Sequence, residues 1–120
     1  LWLGVFTSRR AKTARVQIEK NGLGPLFGKL QTLEDSEYKK PDPRSIEPAR
    51  RHLEQMGIGS HDILYVGDTV EADWNLAKAC GLDFVGVLSG GMVKREDFKE
   101  AGLADKFVID SVADLPKLLK

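Results

Sequence analysis

The sequence has little cysteine, no long apolar run and no excess of either charge. Its one thiol, Cys80, excludes an intramolecular disulfide, and no group of cysteines and histidines has the spacing of a zinc site. The longest apolar stretches, such as residues 1–6 and 63–66, are far shorter than the roughly 20 residues that cross a bilayer. We therefore expect no membrane segment, and a lone thiol suits the reducing cytoplasm.

Charge and size are typical of an ordinary globular protein. The 120 residues include 18 Lys and Arg against 18 Asp and Glu, and 42% of them are apolar. The balanced charge argues against a dedicated nucleic-acid binder, and the apolar content argues against a disordered tail. Because a chain of this length holds one hydrophobic core, we expect a single domain over residues 1–120.

Apolar runs alternate with helical patterns along the chain. Residues 1–7 form a run typical of a strand buried on both faces, and a weaker pattern predicts a short strand within 26–33. We expect Ser45 to cap the second helix and Pro116 to interrupt the last one. The remaining elements are expected as strands at 63–66, 84–88 and 107–109, and as helices at 11–21, 45–56, 70–80, 94–101 and 112–119.

This order of elements predicts an α/β fold with a mostly parallel sheet and helices on both faces. Ligands of such sheets bind at the carboxyl ends of the strands. The side chains expected there are a hydroxyl on Thr7, a cation on Lys40, and carboxylates on Asp68 and Asp73. Phosphoryl transfer needs these three kinds of group, to hold the phosphoryl oxygens, to offset their charge and to bind Mg²⁺.

Each of these residues also has an ordinary structural role. Thr7 suits a helix cap, and Lys40 beside Lys39 suits a solvated loop. Asp68 suits a cap, and Asp73 suits the first turn of a helix, where a negative charge favours the helix dipole. Their combination and order carry more weight than any one of them.

Three segments together resemble the haloacid dehalogenase-like hydrolases. Residues 3–9 (LGVFTSR) are similar to the second motif of that family, an apolar strand ending in Thr or Ser. Residues 40–43 (KPDP) resemble its third motif, and residues 67–73 (GDTVEAD) resemble its fourth, Gly-Asp with a second Asp a few residues on. The resemblance runs in order over nearly the whole chain and is nearest to the phosphoglycolate phosphatase-like branch.

The resemblance implies a Rossmann-like three-layer sandwich and a set of roles. Thr7 and Lys40 would contact the transferring phosphoryl group, with Ser8 also binding phosphate. Asp68 and Asp73 would bind Mg²⁺, and the partner would be a small phosphorylated metabolite. The leading hypothesis is a Mg²⁺-dependent phosphohydrolase of small phosphomonoesters that acts through a phospho-aspartyl intermediate.

One motif of that family has no counterpart in the sequence. Its first motif, a strand ending in Asp-x-Asp, supplies the nucleophile, and these 120 residues contain no Asp-x-Asp. We expect this motif, any cap domain and the central first strand of the sheet to lie upstream. The chain alone is then expected to be inactive, and to associate with itself or with the missing strand.

Two other functions remain open at this point. The missing Asp-x-Asp favours a non-catalytic module that binds phosphate, Mg²⁺ or a protein partner. A haloacid dehalogenase is a third option, but in this family it needs no metal, so the acidic pair of Asp68 and Asp73 favours the phosphatase.

Overall fold

A computed structural model describes residues 2–119 of the chain. The strands are β1 (Gly4–Phe6), β2 (Lys29–Gln31), β3 (Leu64–Gly67), β4 (Asp83–Val87) and β5 (Val108–Ile109). The α-helices are α1 (Ala11–Lys20), α2 (Glu47–Gln55), α3 (Asn75–Cys80), α4 (Arg95–Glu100) and α5 (Leu115–Leu118). A π-helical turn (Val70–Trp74) precedes α3. The chain divides into two compact units, Leu1–Ile58 and Gly59–Lys120, and the expectation of a single domain stays a prediction.

In the first unit, β1 and β2 pair in parallel, and α1 lies between them in the sequence. Val5 lies opposite Leu30 in this pairing. Helix α1 buries Ala14 and ends at Lys20, where Asn21 follows, close to the predicted boundary. Both predicted strands are present: β2 is a short strand within 26–33, as expected, whereas β1 is shorter than expected, and residue 1 lies outside the described part of the chain. The parallel order agrees with the α/β prediction.

The expectation that β1 is buried on both faces is wrong. Leu3 is 42% exposed, and Val5 and Phe6 are only half-buried. Among residues 2–119, β2 is the strand that pairs with β1, so one edge of β1 has no strand beside it. A continuous apolar run therefore indicates that a strand forms, but does not decide whether other parts of the chain bury both of its faces.

The start of α2 is held differently from the prediction. Ser45 does not cap the helix: it is buried, and its hydroxyl donates to the carbonyl oxygen of Asp42 at 2.6 Å. A 3₁₀ turn (Pro43–Ile46) comes first, and the Asp42 carboxylate accepts from the Arg44 amide. The buried Gln31 side chain accepts from the Ala49 amide at 2.9 Å, so a strand residue satisfies a free N–H in the first turn of α2.

In the second unit, β3, β4 and β5 form a parallel sheet in that order. Side chains alternate between its two faces, as in any strand. One face carries an apolar cluster packed against α5: Val85, Val87 and Ile109 with Leu64, Val66, Leu115 and Leu118. On the other face, three aromatic rings surround that of Phe84, with centroids 5.3 to 6.1 Å from its own: Tyr65, Trp74 and Phe98.

Helices therefore cover both faces of this sheet, as predicted. Phe98 of α4 is fully buried against Phe84, and burial of such a side chain contributes roughly 1.5–3 kcal/mol to stability. Pro116 does not interrupt a helix: it lies in the first turn of α5, where its missing N–H costs little. Within residues 2–119, no helix combines the length and the apolar character needed to cross a bilayer.

Candidate functional site

A cavity of about 170 Å³ lies at the carboxyl end of β1 in the first unit. It is lined by the residues that follow β1 and β2 and by the loop that leads to α2. Its lining includes three of the predicted site residues, Thr7, Ser8 and Lys40. Structure and sequence analysis therefore agree that these three side chains lie near one another.

Thr7 is half-buried at the end of β1 and faces this cavity. Its backbone N–H donates to the Gln31 carbonyl at 3.1 Å, which extends the pairing with β2. Its hydroxyl oxygen accepts from the Arg9 amide at 3.1 Å, which closes the turn before α1. The hydroxyl uses its oxygen in this contact, and its proton can still be donated to a ligand. The turn role and a ligand role are therefore compatible.

Lys40 reaches the end of β1 from a distant part of the chain. Its Nζ lies 3.5 Å from the Phe6 carbonyl oxygen and 4.4 Å from the centre of the Phe6 ring. A cation within about 6 Å of a ring is attracted to its face. Lys40 is half-buried, whereas its neighbour Lys39 is exposed. The ammonium group thus lies beside the residue that precedes Thr7, and Lys40 is not a fully solvated loop lysine.

The loop carrying Lys40 is braced by an ion pair and a ring contact. The Arg44 guanidinium donates to Asp42 at 2.8 and 3.1 Å and lies 3.9 Å from the centre of the Tyr38 ring. The hydrogen bonds from Arg44 hold the pKa of the Asp42 carboxyl below its usual value. Tyr38 also lines the cavity. Sequence reasoning missed Tyr38, although it lies only two residues before Lys40 in the sequence.

Asp68 follows β3 in the second unit, where the strand leaves the sheet. Its side chain is half-buried, and it makes no hydrogen bond and no ion pair with any of residues 2–119. A carboxylate that is partly withdrawn from water loses part of its hydration, and a bound cation would compensate for that loss. Oxygen is also the ligand that Mg²⁺ prefers. The geometry of Asp68 therefore fits a metal ligand.

Asp73 has a different environment, although it belongs to the same segment. It is 6% exposed, and its Oδ1 accepts from the Tyr65 hydroxyl at 2.6 Å. Its Oδ2 accepts from the hydroxyl of Thr69 at 3.0 Å and from the Thr69 amide at 3.3 Å. In return, the Asp73 amide donates to the Thr69 hydroxyl at 3.2 Å, which caps the π-helical turn. Protein groups thus hold both carboxylate oxygens.

Two residues of β3 define the environment of Asp73. A Cβ at Gly67 would lie 2.6 Å from the Asp73 Cβ, so only glycine allows this close approach. Tyr65 provides the buried hydroxyl: burial, and then its hydrogen bond to Asp73, raise the pKa of Tyr65 far above its usual value. The phenol therefore stays a donor. Sequence reasoning missed Tyr65, because an apolar run gives no sign of which hydroxyl faces a carboxylate.

The residues of this chain fit Mg²⁺ in part. Over residues 2–119, no three His, Cys, Asp or Glu side chains are grouped closely enough to enclose a metal ion. Mg²⁺ usually takes one or two protein carboxylates and keeps several waters, so a single available carboxylate fits it. Within residues 2–119, no protein donor holds the carboxylate of Asp68, whereas both oxygens of Asp73 already accept hydrogen bonds from Tyr65 and Thr69.

Comparisons with known proteins agree with the motif analysis. A family model described as haloacid dehalogenase-like hydrolase matches residues 1–87. Pyrophosphatase PpaX of Bacillus velezensis is 32% identical over 85 residues, which cover 71% of this chain and 38% of the relative. Glyceraldehyde 3-phosphate phosphatase of Methanocaldococcus jannaschii is 29% identical over 120 residues, which cover 100% of this chain and 50% of the relative. The chain thus spans half or less of the length of these relatives.

Solved structures show the same fold. A subfamily IA hydrolase of the HAD superfamily from Geobacter sulfurreducens is 28% identical with a TM-score of 0.72, covering 100% of this chain and 49% of that one. The magnesium-bound HAD-hydrolase YfnB of Bacillus subtilis is 20% identical with a TM-score of 0.80, covering 99% of this chain and 48% of that one. The predicted α/β, Rossmann-like fold class is confirmed.

Proposed function

The chain belongs to the haloacid dehalogenase-like hydrolase family, and from that membership we propose that the full-length protein is a Mg²⁺-dependent phosphohydrolase. Its substrate would be a small phosphomonoester. The observation that carries the proposal is the placement of the Lys40 ammonium at the Phe6 carbonyl, beside Thr7 and its cavity. A hydroxyl and a cation facing one small cavity suit a phosphoryl group, which presents several anionic oxygens at once.

We assign the roles as follows. Thr7 and Ser8 donate hydrogen bonds to the phosphoryl oxygens, and Lys40 offsets their negative charge. Asp68 supplies a carboxylate for the Mg²⁺ on which the proposed reaction depends. Asp73 supports that end of the second unit through its bonds to Tyr65 and Thr69.

The covalent step needs a group outside these roles. In the proposed reaction, an aspartate carboxylate attacks phosphorus, the ester P–O bond breaks, and a second carboxylic acid protonates the leaving oxygen. Water then hydrolyses the phospho-aspartate. The family resemblance places both carboxyl groups in an Asp-x-Asp motif, which the 120-residue sequence does not contain. We propose that an upstream segment of the full-length protein supplies them.

The matched pair Lys40→Ala and Lys39→Ala tests the phosphate site. Phosphate release by the full-length protein is measured with an aryl phosphate, glyceraldehyde 3-phosphate and pyrophosphate, each with Mg²⁺ and with EDTA. We expect Lys40→Ala to lower turnover about 10²–10³-fold, as the loss of one preorganised charge does, and Lys39→Ala to change it little. Equal effects of the two substitutions would contradict the role given to Lys40.

A non-catalytic module that binds phosphate, Mg²⁺ or a protein partner is the second candidate, favoured by the missing Asp-x-Asp. It predicts binding without turnover. Under the phosphohydrolase proposal, the purified 120-residue chain should show no hydrolysis and should associate with itself or with an added strand. Restoring the upstream segment should then restore turnover, which the second candidate does not predict. Hydrolysis measurements with Mg²⁺ and the mass in solution, with and without that segment, separate the candidates. Metal-dependent turnover by the short chain would contradict our placement of the nucleophile.

A further inference from the structure

The turn after β4 lies directly against the carboxylate of Asp68. In the parallel pairing of β3 and β4, Gly67 lies opposite Gly86, so Asp68 leaves the sheet beside the end of β4. The chain then turns, with the Gly91 amide donating to the Leu88 carbonyl at 3.1 Å. This brings Gly90 to the Asp68 side chain.

The contact leaves no space for a side chain at position 90. A Cβ there would lie 2.5 Å from Oδ2 of Asp68 and 3.3 Å from its Cβ and Cγ. Gly90 does not need glycine for its backbone, because its φ is not positive, unlike that of Gly91 at 72°. The close approach of the carboxylate is therefore the reason that position 90 can hold only glycine without a shift.

We propose that Gly90 is a positioning residue for the carboxylate of Asp68. The proposal rests on the proposed function, since Asp68 is the Mg²⁺ ligand in it. Within residues 2–119, no hydrogen-bond donor holds this carboxylate, so packing against Gly90 restricts its direction. Asp73 differs, because Tyr65 and Thr69 hold it by hydrogen bonds.

The nature of the contact decides what a substitution would do. The atom nearest to the added Cβ is the far end of a short flexible side chain, not backbone. Alanine at position 90 should therefore turn the Asp68 carboxylate aside and leave the fold in place. Metal binding and stability should separate, which a purely structural glycine would not produce.

The experiment compares Gly90→Ala with Gly59→Ala in the full-length protein. Gly59 has an ordinary extended backbone, with φ −93°, and a Cβ there would have nothing within 4 Å. The Mg²⁺ dissociation constant is measured by calorimetry, and the urea unfolding midpoint is measured in EDTA. We expect Gly90→Ala to weaken Mg²⁺ binding about 10–100-fold, the usual effect of losing a group that orients a metal ligand. Gly59→Ala should bind as the unchanged protein does, and both variants should unfold at similar urea concentrations.

A double-mutant cycle with Asp68→Ala shows whether Gly90 acts through this carboxylate. Once Asp68 is alanine, Gly90→Ala should change Mg²⁺ affinity no further. If Asp68→Ala weakens binding while Gly90→Ala matches Gly59→Ala, the inference about Gly90 is overturned and the proposed metal role of Asp68 stands. If Asp68→Ala has no effect on Mg²⁺ binding, both are overturned. A urea midpoint for Gly90→Ala far below that of Gly59→Ala would also overturn the inference, because it would assign Gly90 to packing.

Discussion

Asp68 and Asp73 belong to one short segment, yet the fold treats their carboxylates in opposite ways. Asp73 is buried, and hydrogen bonds from Tyr65 and Thr69 hold both of its oxygens. Asp68 is half-buried and has no hydrogen bond or ion pair within the described part of the chain. A carboxylate already held by protein donors stabilises a turn, whereas one left without donors is available to a ligand. Acidic residues in one motif can therefore serve stability and binding separately.

The largest expected effect is that of Asp68→Asn in the full-length protein. Replacing the carboxylate should lower Mg²⁺-dependent turnover about 10²–10³-fold, since a charge-stabilising contact in the transition state is lost. Unfolding in urea should change little, because Asp68 makes no hydrogen bond within residues 2–119. Asp62→Asn, at an exposed position before β3, is the matched control. Unchanged turnover and unchanged Mg²⁺ dependence in Asp68→Asn would contradict the Mg²⁺-binding role proposed for Asp68.

Removing the other carboxylate should affect stability first. Asp73→Ala removes the hydrogen bond from the buried Tyr65 hydroxyl, and a hydrogen bond to a charged group typically contributes about 1.5–3 kcal/mol to the free energy of unfolding. Tyr65→Phe should cost a similar amount by leaving Asp73 one donor short. Urea unfolding in EDTA measures both variants without any contribution from metal. If neither variant lowers the unfolding free energy, Asp73 does not have the structural role that its contacts indicate.

Thr69→Ala tests the cap on the π-helical turn. The Thr69 hydroxyl accepts from the Asp73 amide and donates to the Asp73 carboxylate. Loss of such a cap typically costs about 0.5–2 kcal/mol. We expect a smaller loss than for Asp73→Ala, because the Tyr65 contact remains. Thr69→Ser keeps the hydroxyl and should recover most of the stability; a serine variant as unstable as the alanine variant would point to packing of the methyl group.

The smallest effect is expected at Asp42, a half-buried carboxylate that Arg44 holds. Its pKa is lowered from 3.8 by the hydrogen bonds from Arg44. The ionised form therefore adds stability above pH 3.8, and this contribution is lost as the pH falls through the lower, folded-state pKa. Asp42→Asn should be slightly less stable than the unchanged protein at neutral pH and equal to it in strong acid. The urea midpoints of the variant and of the unchanged protein are measured across that pH range. A difference between them that persists in strong acid would exclude ionisation of Asp42 as its cause.

Sequence reasoning predicted the elements of the fold well and their environment less well. The alternation of apolar runs and helical patterns located the five strands found in residues 2–119, because strand and helix periods are local properties of the chain. It misjudged the burial of β1, the role of Ser45 and the place of Pro116. The burial of β1 and the role of Ser45 depend on contacts beyond the local pattern, such as the hydrogen bond from the Ala49 amide to the Gln31 side chain at the start of α2.

The site residues show the same division. Motif order alone identified Thr7, Ser8, Lys40, Asp68 and Asp73, because family motifs record residue type and spacing. Their assignment to phosphate and to Mg²⁺ remains a proposal. Sequence could not show that Lys40 lies at the Phe6 carbonyl, since that contact joins distant parts of the chain. It also gave no sign of Tyr65 as a partner of Asp73.

By itself, the amino-acid sequence determined the α/β class, the order of the strands and helices, and the family. These follow from side-chain periodicity and motif spacing along the chain. Only the tertiary structure decided which carboxylate is held by protein donors and which is left available. The reason is that hydrogen-bond partners and close approaches, such as Tyr65 to Asp73 and Gly90 to Asp68, depend on how the strand ends come together in the folded sheet.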